Sequence, residues 1–94
     1  MKLTKIIPST RKYKKYTAIF KIGDDIKKVH FGDNRYSDYT KHHNKKRRDN
    51  YRSRHVSGKT ANPDTPDALS YYILWGDSID MKKNIRIFKN KYNL

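Results

Sequence analysis

Apolar and polar residues alternate most clearly between Tyr16 and Phe31. Tyr16, Ala18, Phe20 and Ile22 share one face of an extended segment, and Thr17, Ile19 and Lys21 share the other. That period of two marks a strand with one buried side. Gly23-Asp24-Asp25 is a turn signal, and Ile26 to Phe31 reads as the returning strand, with Val29 and Phe31 on a common face. The two segments predict a β-hairpin, which Gly32-Asp33-Asn34 ends. Upstream, Leu3, Ile6 and Ile7 precede Pro8 in a basic stretch, so residues 1–12 read equally as an edge strand or a basic arm.

In the C-terminal half the period becomes helical. Thr65-Pro66-Asp67 is a helix start: a threonine cap, proline at the first helical position, and an acid near the positive end of the dipole. Residues 68–75, ALSYYILW, are apolar nearly all round and stop at Gly76; a helix without a polar face belongs inside a fold. Asp77-Ser78 is expected to cap a last helix in which Met81, Ile85, Phe88 and Tyr92 form a stripe, with Lys82, Lys83, Arg86, Lys89 and Lys91 on its other faces. The apolar helix is expected to pack between that stripe and the hairpin. Between the halves, residues 35–43 read as an aromatic loop leading into a basic helix from about Lys41 to Val56. Gly58 is its expected left-handed cap, and residues 59–66 form a connector. The fold class predicted is α+β: an N-terminal hairpin, a basic helix and two C-terminal helices in one small domain over residues 13–94.

Charge changes the picture of the middle helix. The 94 residues hold 23 Lys and Arg against nine acids, a net charge of +14, and every acid is Asp. Aspartate favours turns and caps, whereas glutamate pairs with lysine along a helix, so the basic faces stay unscreened. Residues 41–59 alone carry eight Lys or Arg, three His and one acid, Asp49. Hydrophobic residues are 34% of the chain, below the roughly 45–50% of globular domains. Eight Tyr, three Phe and one Trp nevertheless argue for a packed core rather than a solvated tail. The absence of cysteine removes disulfides, thiolate zinc sites and cysteine nucleophiles. Neither a signal peptide nor an apolar run of about 20 residues is present, which predicts a soluble, non-secreted protein.

The candidate chemistry is phosphate contact. Arg47, Arg48, Arg52 and Arg54 offer bidentate hydrogen bonds, Lys45 and Lys46 offer point charges, and Tyr51 either supports the row or stacks on a base. His55 and Lys59 extend this surface, and Arg11, Lys12, Lys14 and Lys15 form a second basic run. The plainer alternative is a solvated helix whose arginine stems cover the hairpin. No helix-turn-helix, zinc-finger or RNA-recognition signature is present, so contact with the backbone is favoured over base readout. His42, His43 and His55 lack the i, i+4 spacing of a helical zinc site. Asp33, Asp38 and Asp49 with His30, His42 and His55 would make a metal-dependent nuclease on paper, but Asp33 reads as a turn residue and Asp38 as a cap. Gly58-Lys59-Thr60 lacks the upstream glycine and strand of a phosphate-binding loop. Among the aromatics, Tyr71, Tyr72 and Trp75 read as core, while Tyr36 and Tyr39 stay open to base stacking. No catalytic residue, metal or cofactor is assigned.

Two stretches, residues 27–55 and 59–78, carry a resemblance. Val29-His30-Phe31-Gly32, Tyr36, Asp38-Tyr39-Thr40, His42, Arg48, Tyr51 and Arg54-His55, then Ala68-Leu69-Ser70 and Tyr72-Ile73-Leu74-Trp75, resemble a small basic protein family of nucleocytoplasmic large DNA viruses, the giant viruses. The resemblance implies viral origin and a role in the virion or in the host cytoplasm or nucleus; it brings no catalytic residues. The function expected is therefore non-enzymatic binding of nucleic acid, DNA ahead of RNA, or of another polyanion, with genome packaging as its use. The alternative is a minor structural virion protein whose basic surfaces meet acidic capsid proteins. Strandedness and oligomeric state are left open.

Overall fold

Tight turns dictate the sheet. In the computed structural model, which describes residues 1–94, β1 (Lys2–Pro8), β2 (Lys14–Ile22) and β3 (Asp25–Asp33) form an antiparallel meander in the order β1-β2-β3. Ile22 faces Asp25 across a two-residue turn, and Gly23 there has φ +61°, a backbone state that glycine adopts without a Cβ penalty. The predicted hairpin is present, joined by an edge strand. β1 pairs along β2 with an irregularity between Leu3 and Lys5, where the Thr4 hydroxyl donates to the Ile19 carbonyl at 2.9 Å. Pro8 lies at the end of this edge strand, where a missing N–H leaves no ladder bond unmade.

Alternation along the strands then fills one face. Ala18, Phe20, Val29 and Phe31 are buried, with Leu3 from β1. The hairpin tip, residues 21–28, is exposed throughout, so Ile22 lies beyond the core although its phase is inward. The helices that cover this face are α1 (Tyr39–His42), α2 (Lys45–Arg54), α3 (Ser57–Thr60), α4 (Pro66–Leu69) and α5 (Met81–Tyr92). α4 begins as read, with the Thr65 hydroxyl accepting the Ala68 N–H and Pro66 in the first turn. Ala68, Leu69, Ile73, Leu74 and Phe88 complete the core, flanked by Met81, Ile85 and Tyr92. The apolar segment lies against both β3 and α5. A radius of gyration of 12.6 Å matches the ~12 Å of one folded domain of this length. The architecture is α+β, as the sequence predicts.

Three local expectations fail, each for a physical reason. The basic helix is not continuous: His43 turns left-handed at φ 56° and closes α1, and the Asn44 side chain accepts the Arg47 N–H to start α2. Gly58 is no left-handed cap but sits inside α3, where a Cβ would stand 2.7 Å from the Asp67 carbonyl oxygen and 2.8 Å from the Tyr71 Cβ. α5 is capped by Asp80, whose carboxylate accepts the Lys82 N–H, rather than by Asp77-Ser78.

The apolar helix also widens. Beyond α4 the chain continues as a π-helical turn, Ser70–Leu74, closed by the Trp75 N–H on the Ser70 carbonyl at 3.0 Å. Asn84, buried among apolar groups, pins the exit from this turn. Its Nδ2 donates to the Ile73 carbonyl at 3.0 Å and the Ser78 carbonyl at 2.7 Å, and its Oδ1 accepts the Ser78 N–H at 3.0 Å. Gly76 must be glycine beside it, because a Cβ would stand 2.1 Å from the Tyr72 carbonyl oxygen. Asn84→Ala strands buried backbone groups and is expected to lower stability by about 3 kcal/mol in urea unfolding. A loss below about 1 kcal/mol, the size of one ordinary hydrogen bond, would show that water replaces the amide.

Candidate functional site

α2 is the most basic element, and it has no buried residue. A helix without an apolar stripe docks only if something other than aliphatic packing holds it. Here Tyr51 does so. Its ring stacks on Trp75 at 4.2 Å between centroids and 6° between planes, and on its other side on His55 at 4.0 Å and 14°. Trp75 meets His42 at 5.3 Å, and His42 meets Tyr39 at 6.3 Å, so the column runs from α2 through the π-turn exit to α1. Burial, then the charge of Asp67, push the Tyr51 phenol up to about 12, so it stays protonated.

Two arginines of α2 point inward with Tyr51. Arg48 lies 5.1 Å over the Tyr39 ring and donates to Asp49. Arg52 lies 4.9 Å over the Tyr71 ring and donates to Asp77 at 3.1 Å. Their side chains are only 12% and 25% exposed, so both contribute to the docking of the helix. Lys45, Lys46, Arg47 and Arg54 are exposed, as is Lys59 on α3. Arg11 and Lys12 lie exposed in the turn before β2, Lys12 at 4.9 Å over the Tyr13 ring. Lys15 is taken by a buried ion pair with Asp38. Asp38, 1% exposed, also accepts the Thr40 N–H as the cap of α1. This pair ties the loop after β3 to the start of β2.

The sequence does not reveal the hollow these residues surround. A cleft of about 550 Å³ opens between α2 and the strand ends. Arg47, Tyr51, Arg54 and His55 wall one side; Lys14, Lys15, Gly32 and Asp33 wall the other. Tyr36, Ser37 and Asp38 lie at one end, and Asp67, Ser70, Leu74 and Trp75 form the floor. Helical spacing on α2 groups Arg47, Arg48, Tyr51, Arg54 and His55, all of which except Arg48 line the cleft; the opposite wall requires the tertiary fold. Gly32, at φ 78°, leaves no room for a Cβ, which would stand 2.7 Å from Leu74 Cδ1. Asp33 is held at about 2 by the Arg35 side chain and backbone N–H.

The paper nuclease does not assemble. Asp33 is clasped by Arg35, Asp38 is sealed under Lys15, and Asp49 pairs with Arg48. No three His or Asp side chains gather as ligands for one metal ion. His42 has another role. Its Nδ1 accepts the Asn44 N–H at 2.9 Å, which leaves its proton on a buried Nε2 without a hydrogen-bond partner. Burial foremost, then Arg47, lower its pKa below 6.5.

Two expected outcomes test this docking. Tyr51→Ala should lower stability by about 3 kcal/mol and lose α2 helicity by circular dichroism, while Tyr51→Phe keeps both. An alanine variant as stable as the parent would show that the stack does not anchor α2. Because the folded state resists protonating His42, the unfolded state binds the extra proton. Stability present above pH 6.5 is then lost as pH falls below it. Urea midpoints at pH 7 and pH 5 should diverge more for the parent than for His42→Gln; equal shifts would assign the acid sensitivity elsewhere.

Comparison with known proteins bears on the walls of the cleft more than on its floor. A family model described as a family of unknown function, DUF5754, matches residues 4–55, from β1 to the end of α2. No curated protein and no solved structure matches the chain. Since the match spans more than half of the 94 residues and takes in the sheet, the Asp38 cap and the basic helix, the protein belongs to that family, DUF5754.

Proposed function

We propose that this protein is a non-enzymatic binder of nucleic acid that grips the phosphate backbone through the exposed face of α2 and the turn before β2. The observation that carries the reading is unpaired charge. Five of the 23 cations hold an aspartate, which leaves eighteen without one. Lys45, Lys46 and Arg47 occupy the first turn of α2, which has no acid there. Cations at the positive end of a helix dipole lower helix stability, so their placement favours an anionic partner over the helix itself. Such contacts release condensed counterions, and affinity then falls linearly in log–log with salt and hardly depends on sequence.

The resemblance of residues 27–55 and 59–78 to a family of large DNA viruses points to a packaged genome as that partner, and so to DNA before RNA. A second reading, a minor capsid-associated protein, is favoured by the uncovered face of the sheet. The strand register places Ile7 and Ile26 there among Lys5, Lys21 and Lys28, and both isoleucines are exposed. Co-purification with the genome supports the first reading, and a fixed stoichiometry in the shell supports the second. No helix is long and apolar enough to cross a membrane.

Placement of the arginines makes the proposal testable by separation of effects. Arg47→Gln with Arg54→Gln should weaken oligonucleotide binding in fluorescence anisotropy and reduce the salt slope by about 2, with little change in unfolding. Arg48→Gln with Arg52→Gln should instead destabilise the fold. If the exposed pair changed neither affinity nor slope, α2 would not be the contact surface. If heparin bound as tightly as nucleic acid, the surface would be a general polyanion site.

A further inference from the structure

The cleft holds more than an electrostatic surface needs. Arg47 and Arg54 line it outside any ion pair, and Lys14 lines it beside an Asp33 already clasped by Arg35, which suits a phosphate. Asp67 also lines it, exposed and likewise without a cation partner. A trap for phosphate alone gains nothing from a free carboxylate nearby, because like charges repel. A nucleobase bearing an amino group does gain, since a carboxylate accepts from it.

Two rings supply the remaining chemistry. His55 ends the aromatic column: one face lies on Tyr51, no other ring meets it, and it is exposed at the cleft. Its Nδ1–H donates to the Tyr51 carbonyl at 3.0 Å, which holds the imidazole in place and leaves Nε2 free. Tyr36 lines the cleft, is 69% exposed and stacks on no other ring. A base placed on His55 would extend the stack by one further ring, and stacking of this kind tolerates any base. The volume of about 550 Å³ falls within the roughly 300–1,000 Å³ of small-ligand sites, enough for one nucleotide but not for a duplex. A paired base would have to leave its stack to enter, at a cost of a few kcal/mol that a single strand largely avoids.

We propose that the cleft holds one nucleotide of a single strand, its phosphate among Lys14, Arg47 and Arg54 and its base against His55 and Tyr36, so that the protein prefers single-stranded to duplex nucleic acid. This rests on the backbone-binding function above and adds the strandedness and the base contact.

Trp75 is the only tryptophan of the chain and lines the cleft, so its fluorescence reports occupancy directly. Three probes are titrated at matched phosphate concentration: a single-stranded DNA oligonucleotide, its duplex, and a strand of abasic sugar-phosphates of the single strand's length. The single strand should bind about tenfold tighter than the abasic strand and tighter than the duplex, and should quench Trp75. Tyr36→Ala and His55→Ala should narrow the gap between base-bearing and abasic strands; Tyr36 is too exposed for its loss to unfold the protein. A duplex that binds at least as well as the single strand, or an abasic strand that binds equally with Trp75 unchanged, overturns the nucleotide site and leaves backbone binding standing. If none of the three probes binds, the proposed function falls with it.

Discussion

Everything distinctive about this molecule depends on one aromatic ring. α2 has the composition of a solvated segment, yet it is held in a fixed place because Tyr51 lies flat between Trp75 and His55. The alternative way to fix a cationic helix is to face it with carboxylates, which would cancel the charge. Rings attract guanidinium groups through their quadrupole and leave the net charge unchanged. Arg48 over Tyr39 and Arg52 over Tyr71, one turn apart on the helix, use such rings, each alongside a single aspartate, Asp49 or Asp77. Docking and charge are thereby separated: one side of α2 is attached through π faces, and the other remains cationic.

The aspartates complete this division. Asp38 and Asp80 cap α1 and α5, and Asp33 closes the turn with Arg35. The most buried of them, Asp38, joins the strand end to the loop through Lys15. A buried ion pair contributes little net stability but is costly to break from one side, so its main effect is to fix where the loop leaves β3. That position sets one end of the cleft. Thus several acids define backbone geometry, and of the five that hold a cation only Asp33 and Asp64 hold an exposed one, Arg35 and Lys27.

How much of this was legible varied with the range of the interaction responsible. The β2–β3 hairpin, the Thr65-Pro66 start and the Met81-Ile85-Phe88-Tyr92 stripe are local patterns, and they are present as read. The break at His43 carried a local signal too, in Asn44, a good cap residue hidden among lysines. Gly76 reads as the stop of the apolar helix, but the π turn and the roles of Gly58 and Asn84 carried no local signal, because Gly58 and Asn84 answer to neighbours elsewhere along the chain. At the site, spacing on one helix grouped Arg47, Arg48, Tyr51, Arg54 and His55, and Arg48 does not line the cleft. Spacing could not show that Arg48 and Arg52 turn inward, nor that Lys14, Tyr36 and Asp67 stand across from the helix. Those placements are set by the fold as a whole.

The edge strand has a consequence for assembly. β1 leaves one side of the sheet unpaired, and an open edge is a template for another chain. Lys2 and Lys5 are exposed along it, and charges of one sign there oppose edge-to-edge pairing of two copies. Any polyanion that neutralises these lysines removes the repulsion and at the same time raises the local concentration of the protein. Copies bound side by side on one strand would then find each other's edges unguarded, and occupancy of one position would favour occupancy of the next. On the proposed function, the same charge would oppose association of free copies and cease to oppose it between bound ones.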